Sequence, residues 1–506
     1  MIDERSSSYK EILKIPSIYP LERALFSFPA RPTRKGSRRI MVDPPDAKRG
    51  WRPHHGMWVM LFIAWAMCYL DRALTGPVVS WMITNDSPML LGLENPHAVG
   101  GVIGSMFFAG YMLTQFPAGY LGDRYGRRTL VVISTVWAGT ATILSGMSRN
   151  LTAFVGTRVM TGLGEGAYYS NDRALVVKYT PPEKVGTGLG VVFVGLALGM
   201  TLATVSAPWL IDSAGGFMGK DAWAFPFLLF GPPTILVGIL LHRYLPAGEN
   251  ESYRGAFPRL LLYSLLFLTV ILGFYQISLT LRLGILWQTL FVMIAAVLLV
   301  LLIYVRLGTV SALVLRDRSL QLTYLSAIPI LFTLWFFGFW ALLVVAESSE
   351  LGLSGAAVYA GLFGAANAIG YPLGGVLCDR FPGIVRRKRL YVASCLTVSA
   401  MVLLLIPSIE AVDLLSLAIL LFVIGAVFAA MQTVHMTLTA DLSPPDMMGQ
   451  SFGMWNLVAE VGALLSPVIC GYLRDLTGGW EAAILLTSIL LVMSAGLVLA
   501  VPRTVR

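Results

Sequence analysis

Apolar residues do not alternate with polar ones along this chain; they run in long blocks. Eleven stretches of at least 20 residues carry no Asp, Glu, Lys or Arg: 95–122, 129–148, 185–211, 222–241, 260–281, 283–305, 319–346, 351–378, 390–409, 414–440 and 482–502. Three more, 57–81, 150–179 and 447–473, are as long and apolar but hold charges. A helix needs about 20 predominantly apolar residues to cross the hydrocarbon core of a bilayer. The pattern therefore predicts an all-α membrane protein with 14 transmembrane helices, 11 without charge and 3 with it. An even number puts both chain ends on one side.

Composition sharpens this. The 506 residues are 56% hydrophobic and only 13% charged, whereas soluble domains carry roughly 25% charged residues. That excludes a disordered chain, a collagen-like or disulfide-rich scaffold, and an ordinary soluble enzyme. The net charge is +9, from 37 Lys+Arg against 28 Asp+Glu. Twelve of the basic residues fall in the tail 1–56, and seventeen in the same-side loops with their flanks, Arg503 and Arg506 included. Four fall in the opposite loops: Arg149, Lys220, Arg282 and Arg474. Under the positive-inside rule both termini are expected in the cytoplasm, and the surplus charge calls for no nucleic-acid partner. The basic tail reads as a solvated topology signal, with contact to anionic headgroups as the alternative. No cleavable signal peptide is expected, because the first long apolar stretch opens near Met57, after a polar segment far too long for an n-region. Cys68, Cys378, Cys395 and Cys470 sit singly in apolar runs, and the histidines have no ligand spacing. No disulfide, metal or cofactor is expected.

The chain repeats itself. Pro181-Pro182-Glu183-Lys184-Val185-Gly186-Thr187-Gly188-Leu189-Gly190 and Pro444-Pro445-Asp446-Met447-Met448-Gly449-Gln450-Ser451-Phe452-Gly453 share Pro-Pro-acid-x-x-Gly-x-x-[Leu/Phe]-Gly at an offset of 263. Gly119-Tyr120-Leu121-Gly122-Asp123-Arg124 likewise has an echo in Gly375-Val376-Leu377-Cys378-Asp379-Arg380. The register gives a cytoplasmic tail (1–56), a six-helix half (57–245), a linker with two extra helices (246–318), a second six-helix half (319–502) and a short tail (503–506). Repeated halves mark secondary transporters, whose substrate site lies between them near the midplane. The extra pair turns around Arg282 and holds no charge within the membrane. It is expected to pack peripherally.

The residues carrying these motifs resemble the major facilitator superfamily. Gly119 through Arg128 is similar to that family's loop after its second helix, and Arg158-x-x-x-Gly162-x-Gly164-Glu165-Gly166 to its fourth-helix motif. Within the superfamily, Tyr69-Leu70-Asp71-Arg72 resembles the Asn-Tyr-x-Asp-Arg of the anion:cation symporter branch, which takes up sugar acids, aromatic carboxylates and similar organic anions. Tyr111-x-x-x-Gln115-x-Pro117, Glu165 seven residues after Arg158, and Trp455-Asn456 look like the same branch. The resemblance implies alternating access, proton symport and a monomer. It also implies a cytoplasmic gate at Gly119, Asp123, Arg124, Gly126, Arg127 and Arg128, with Asp379 and Arg380 as a degraded copy. The chain departs from the branch in the extra hairpin, in Asp172, and in Glu460 inside a normally uncharged helix.

Charge in the membrane costs about 2.5–3.5 kcal/mol per residue on insertion scales, so the few charged spans are the candidate chemistry. At 1.5 Å per residue, Asp71 lies about 21 Å from Met57, and Glu165 about 21 Å from Leu151 on an oppositely directed helix, so the two share a depth. Arg suits a carboxylate ligand through two parallel hydrogen bonds. Burial favours the neutral form of a carboxyl, and a nearby Arg favours the charged form, which suits proton carriage. The expectation is that Arg72 binds the substrate carboxylate while Asp71 and Glu165 titrate. Arg158 holds one of them ionised until the substrate or a proton displaces it and counts with Arg72 among the substrate-binding residues, and Tyr69, Gln115 and Asn456 are polar cavity contacts. Glu460 is either a neutral acid or a further titrating site. His435 is expected to be a packing residue. The alternative reading is a 14-helix drug or metabolite:proton antiporter. The fifth stretch, however, lacks the Gly-Pro step of that group, and an Arg in the first stretch suits an anion. No nucleophile–base set suggests an enzyme.

Overall fold

The computed structural model describes residues 52–181, 184–248, 250–307, 316–444 and 447–502. The tail through residue 51, the Pro-acid pairs 182–183 and 445–446 of the repeated motif, and Arg503 and Arg506 lie outside the described residues. The described chain is helical: α1 Pro53–Thr84, α2 Pro96–Tyr125, α3 Arg127–Gly146, α4 Leu151–Tyr179, α5 Val185–Met218, α6 Phe225–Tyr244 and α7 Tyr253–Thr280. There follow α8 Ile285–Leu307, α9 Arg318–Glu347, α10 Gly352–Arg380, α11 Ile384–Leu403, α12 Leu414–Leu442, α13 Met448–Thr477 and α14 Glu481–Leu499. A short turn of helix, Leu405–Glu410, extends α11.

Among the described residues, 11 stretches are long and apolar enough to cross a membrane, against the fourteen that the sequence predicts. One of them, Val185–Tyr244, contains both α5 and α6. α4, which carries Arg158, Glu165, Asp172, Arg173 and Lys178, and α8, whose qualifying apolar part is Trp287–Leu299, are not among them.

Local chemistry sets the helix ends. Asn150, Ser252 and Asp317 accept hydrogen bonds from the amides of Ala153 (2.8 Å), Gly255 (3.1 Å) and Leu320 (2.9 Å), capping α4, α7 and α9. Gly126 joins α2 to α3 at φ 93°, a conformation that a side chain disfavours. Interior prolines recur at Pro77, Pro117 and Pro208 in α1, α2 and α5, and at Pro329, Pro372 and Pro467 in α9, α10 and α13. Proline removes one helical hydrogen bond, and packed neighbours make that tolerable inside a membrane.

The pairing of helices is two-fold in pattern. α1 packs on α5, α2 on α4, and α3 on α6 and α4; likewise α9 packs on α13, α10 on α12, and α11 on α14 and α12. Between the two sets, α2 packs on α13, α10 on α5, and α1 on α9. Exchanging the sets leaves every one of these pairings in place. The six helices that join the sets each carry an interior proline, as do α6 (Pro232 and Pro233) and α7 (Pro258) outside the seam. Helix α7 leans on α2, α3 and α4, while α8 leans on α7, α2 and α13.

Small residues set the closest approaches. A Cβ on Gly162 would come 2.0 Å from the Phe107 carbonyl oxygen, and one on Gly166 2.3 Å from that of Tyr111. The glycine face of α4 therefore lies directly on α2, as small residues permit in membranes.

Candidate functional site

Helix α1 carries Asp71 and Arg72 side by side in sequence, about 100° apart around the axis. Their side chains diverge. Arg72 reaches α4, where Nη2 and Nε donate to Glu165 Oε2 at 2.9 and 3.3 Å. Asp71 turns towards α3, and its Oδ1 accepts from Thr142 Oγ1 at 2.5 Å. Arg158 Nη2 lies 3.7 Å from the same Oδ1. Two buried ion pairs thus tie α1 to α4, Arg72–Glu165 and Asp71–Arg158, because Arg158 and Glu165 share one face of α4 seven residues apart.

The two arginines have different surroundings. Arg158 is fully buried and donates to Ser145 Oγ (2.7 Å) and Thr161 Oγ1 (2.9 Å), with the Phe227 ring 4.9 Å away. Arg72 sits among the rings of Tyr111 (4.3 Å), Tyr69 (4.5 Å) and Phe107 (4.9 Å).

Between the two helix sets lies a narrow cavity, in which about 20 Å³ is open to the centre of a water-sized sphere. Its aromatic lining includes Trp65, Tyr69, Tyr111, Tyr169, Trp335 and Trp455, and its polar lining is Arg173, Gln432, Asn456 and Glu460. Of the sequence-predicted contacts, Tyr69, Asn456 and Glu460 reach it. Gln115 stands behind it, its Oε1 accepting from Asn456 Nδ2 at 2.9 Å across the two sets. Arg72 stands one layer back, behind Tyr69 and Tyr111. Asp71 and Arg158 lie farther off, between α1, α3, α4 and α6. Trp455 is held by His435, whose Nδ1 accepts from the indole N–H at 2.9 Å, while Nε2 lies 2.7 Å from Ser326 Oγ. His435 thus packs helices, and it also fixes a cavity wall.

Sequence reasoning missed Arg173. Its side chain is 20% exposed, against 2% for Arg72 and 0% for Arg158. Among the described residues it is the intramembrane arginine that lines the cavity. Its Nη1 donates to both oxygens of Asp172 at 2.8 Å, and Trp65 Nε1 donates to Asp172 Oδ2 at 2.6 Å. Tyr169 stacks on the guanidinium at 4.0 Å. The signal was present in the anomalous Asp172, which needed a neighbouring cation.

The ends of the molecule differ. At one end a network joins the two helix sets. Asp475 of α13 accepts from the His97 and Ala98 amides that open α2 (3.3 and 2.8 Å) and lies 2.6 Å from His97 Nδ1. Glu347 of α9 lies 3.2 Å from His97 Nε2 and accepts from Arg474 and Trp480. At the other end, Arg127 donates to Asp123 at 2.5 Å, one turn away. Arg128 pairs with Glu251 of the linker, and Arg124 lies over the Tyr125 ring. These bonds stay within the first six helices and the linker. Gly119 is half-buried, and Asp379 and Arg380 are exposed.

The sequence profile of the Major Facilitator Superfamily matches residues 61–359 and 338–506. The chain belongs to this superfamily. Membership makes it a multi-pass membrane transporter rather than an enzyme. It is 28% identical over 159 residues to probable anion transporter 6, chloroplastic, of Arabidopsis thaliana, covering 31% of this chain and 29% of the relative. The match thus spans under a third of that protein's length. It is 23% identical over 466 residues to the hexuronate transporter of Bacillus subtilis, covering 88% of this chain and 94% of the relative. The fold is that of the D-xylose-proton symporter crystal structure, at a TM-score of 0.66 and 15% identity over 89% of this chain and 98% of that one.

Proposed function

We propose that this superfamily member carries a small organic anion across the membrane by alternating access, coupled to protons in symport. The observation that carries the reading is the Arg72–Glu165 pair, set directly behind a cavity between the two helix sets. When Glu165 takes a proton, its hold on Arg72 ends, and the guanidinium gains a reason to turn towards an incoming carboxylate. Arg173 meets that carboxylate at the cavity wall. The Asp71–Arg158 pair is the second titrating unit, and it fixes the angle between α1 and α4. The named relatives, an anion transporter and a hexuronate transporter, support the anion as cargo. They give no support to a drug:proton exporter.

The same reading takes the chain as a monomer of fourteen spans: two six-helix halves (57–245 and 319–502), an inserted peripheral hairpin, and both termini in the cytoplasm. The network around His97 then closes the outer end. The Asp123–Arg127 loop, with Asp379 and Arg380, forms the inner gate.

Uptake of organic acids by proteoliposomes at two external pH values tests the reading. Arg72→Ala is expected to abolish uptake. Glu165→Gln is expected to keep exchange but lose acceleration by acid. Unchanged uptake affinity in Arg72→Ala, or a pH dependence that survives Glu165→Gln, would overturn it.

A further inference from the structure

Glu460 has no place in simple anion binding. It lines the cavity from α13 at 3% exposure, and its Oε2 has no hydrogen-bond partner among the described residues. Arg173 lines the same cavity from α4, in the other helix set. A guanidinium has five N–H donors, and Asp172 takes only those on Nη1, which leaves donors for a ligand carboxylate. Tyr69, Tyr111, Trp335 and Trp455 contribute to the walls. Aromatic faces beside a buried carboxylate are the chemistry that holds an ammonium group.

The balance of charge agrees. Away from their end turns, α1, α4 and α13 hold Arg72, Arg158 and Arg173 against Asp71, Glu165, Asp172 and Glu460. Each arginine already has its carboxylate: Glu165, Asp71 and Asp172 respectively. Glu460 is the carboxylate outside these ion pairs among the described residues; Asn456 hydrogen-bonds to it and the Arg72 charge acts on it. A buried charge without an ion-pair partner is costly. A plain anion brings Glu460 no such partner, whereas a ligand ammonium does.

We infer that the cavity takes a ligand with a carboxylate and an ammonium group at opposite ends of a flat apolar body. The carboxylate sits on Arg173 and the ammonium on Glu460. The inference rests on the organic-anion reading above and narrows its cargo to amino-bearing acids. Such a ligand bridges the two helix sets, because its two charged ends are recognised from different sets.

The test titrates the purified full chain in detergent, by calorimetry, with para-aminomethylbenzoate, para-toluate, benzylamine and glucuronate. The amino acid is expected to bind at least about tenfold tighter than para-toluate or benzylamine, a factor worth about 1.4 kcal/mol. Glu460→Gln is expected to lower its affinity to that of para-toluate and not to weaken para-toluate binding. Arg173→Ala is expected to weaken both acids. Equal binding of the two acids, or an amino-acid affinity that survives Glu460→Gln, overturns the inference and makes Glu460 a proton-bearing neutral acid. Tight binding of para-toluate or glucuronate alone overturns it while leaving the organic-anion reading standing. Benzylamine alone overturns both, and binding of none of the four overturns the inference. Should Glu460→Gln fail to fold, the four ligands on the unaltered chain decide.

Discussion

At the residue scale, position on a helix decides what each charge does. Asp71 and Arg72 are adjacent, yet they serve different partners, because successive residues point about 100° apart. Arg158 is the residue most committed to structure, with Asp71, Ser145 and Thr161 around it and no exposure. Removing one partner of a buried pair costs about 3–5 kcal/mol, whereas replacing both by apolar residues is often neutral. Arg158→Ala should therefore lower the melting temperature strongly. The double change Asp71→Leu with Arg158→Met should recover most of it and still transport nothing. Thermal unfolding followed by tryptophan fluorescence, with uptake alongside, checks both halves of that statement. A double variant that transports normally would reduce the pair to a structural lock.

At the scale of elements, glycine and proline placement explains how charged helices come close enough to pair. Helix α4 reaches α2 through Gly162 and Gly166, and this sets the depth at which Glu165 meets Arg72. A larger side chain at Gly162 would strike the Phe107 carbonyl, a backbone group that cannot swing aside. Overpacking costs typically about 1–3 kcal/mol. Gly162→Val should separate α2 from α4 and weaken the Arg72–Glu165 pair behind the cavity. The expected result is a less stable protein whose uptake falls more than its expression. Uptake per folded molecule equal to that of the unaltered chain would show that the approach at Gly162 does not position the pair. The extra hairpin also belongs to this scale. Arg128, expected at a gate, is bound to Glu251 at the base of the hairpin, and the Ser252 amide donates to the Tyr125 carbonyl at 3.0 Å. The linker is therefore fastened to the α2–α3 loop.

At the scale of the whole molecule, the two sets touch through α1, α2 and α5 against α9, α13 and α10, and the His97 network locks one end of that seam. Asp475 caps the start of α2 from the other set, where a carboxylate meets unpaired amides and the positive end of the helix dipole. Asp475→Ala removes those bonds across the seam. A loss of one or two kcal/mol shifts a two-state ratio by roughly 5–30-fold. Asp475→Ala should raise the population open at the His97 end by about that factor. Spin-label distances across that end would report it, and an unchanged distance distribution would deny the network a gating role.

Much of this was legible in the chain. Long uncharged stretches dictate helices, because an apolar solvent leaves backbone groups no partners but one another. The motif offset of 263 marks the repeat, and the exchangeable helix pairings follow the same correspondence. The scarcity of intramembrane charge picks out Asp71, Arg72, Arg158, Glu165 and Glu460 from the sequence alone. Sequence could not say which of these meet, since partners across helices depend on azimuth and depth, which arise only when distant segments pack. Tertiary packing alone put Arg72 behind a ring of aromatics, sent Arg158 out of reach of the cavity, and brought Arg173 to its wall. The sequence determined which residues are charged inside the membrane; the packing of α1, α4 and α13 decided which of them a ligand can touch.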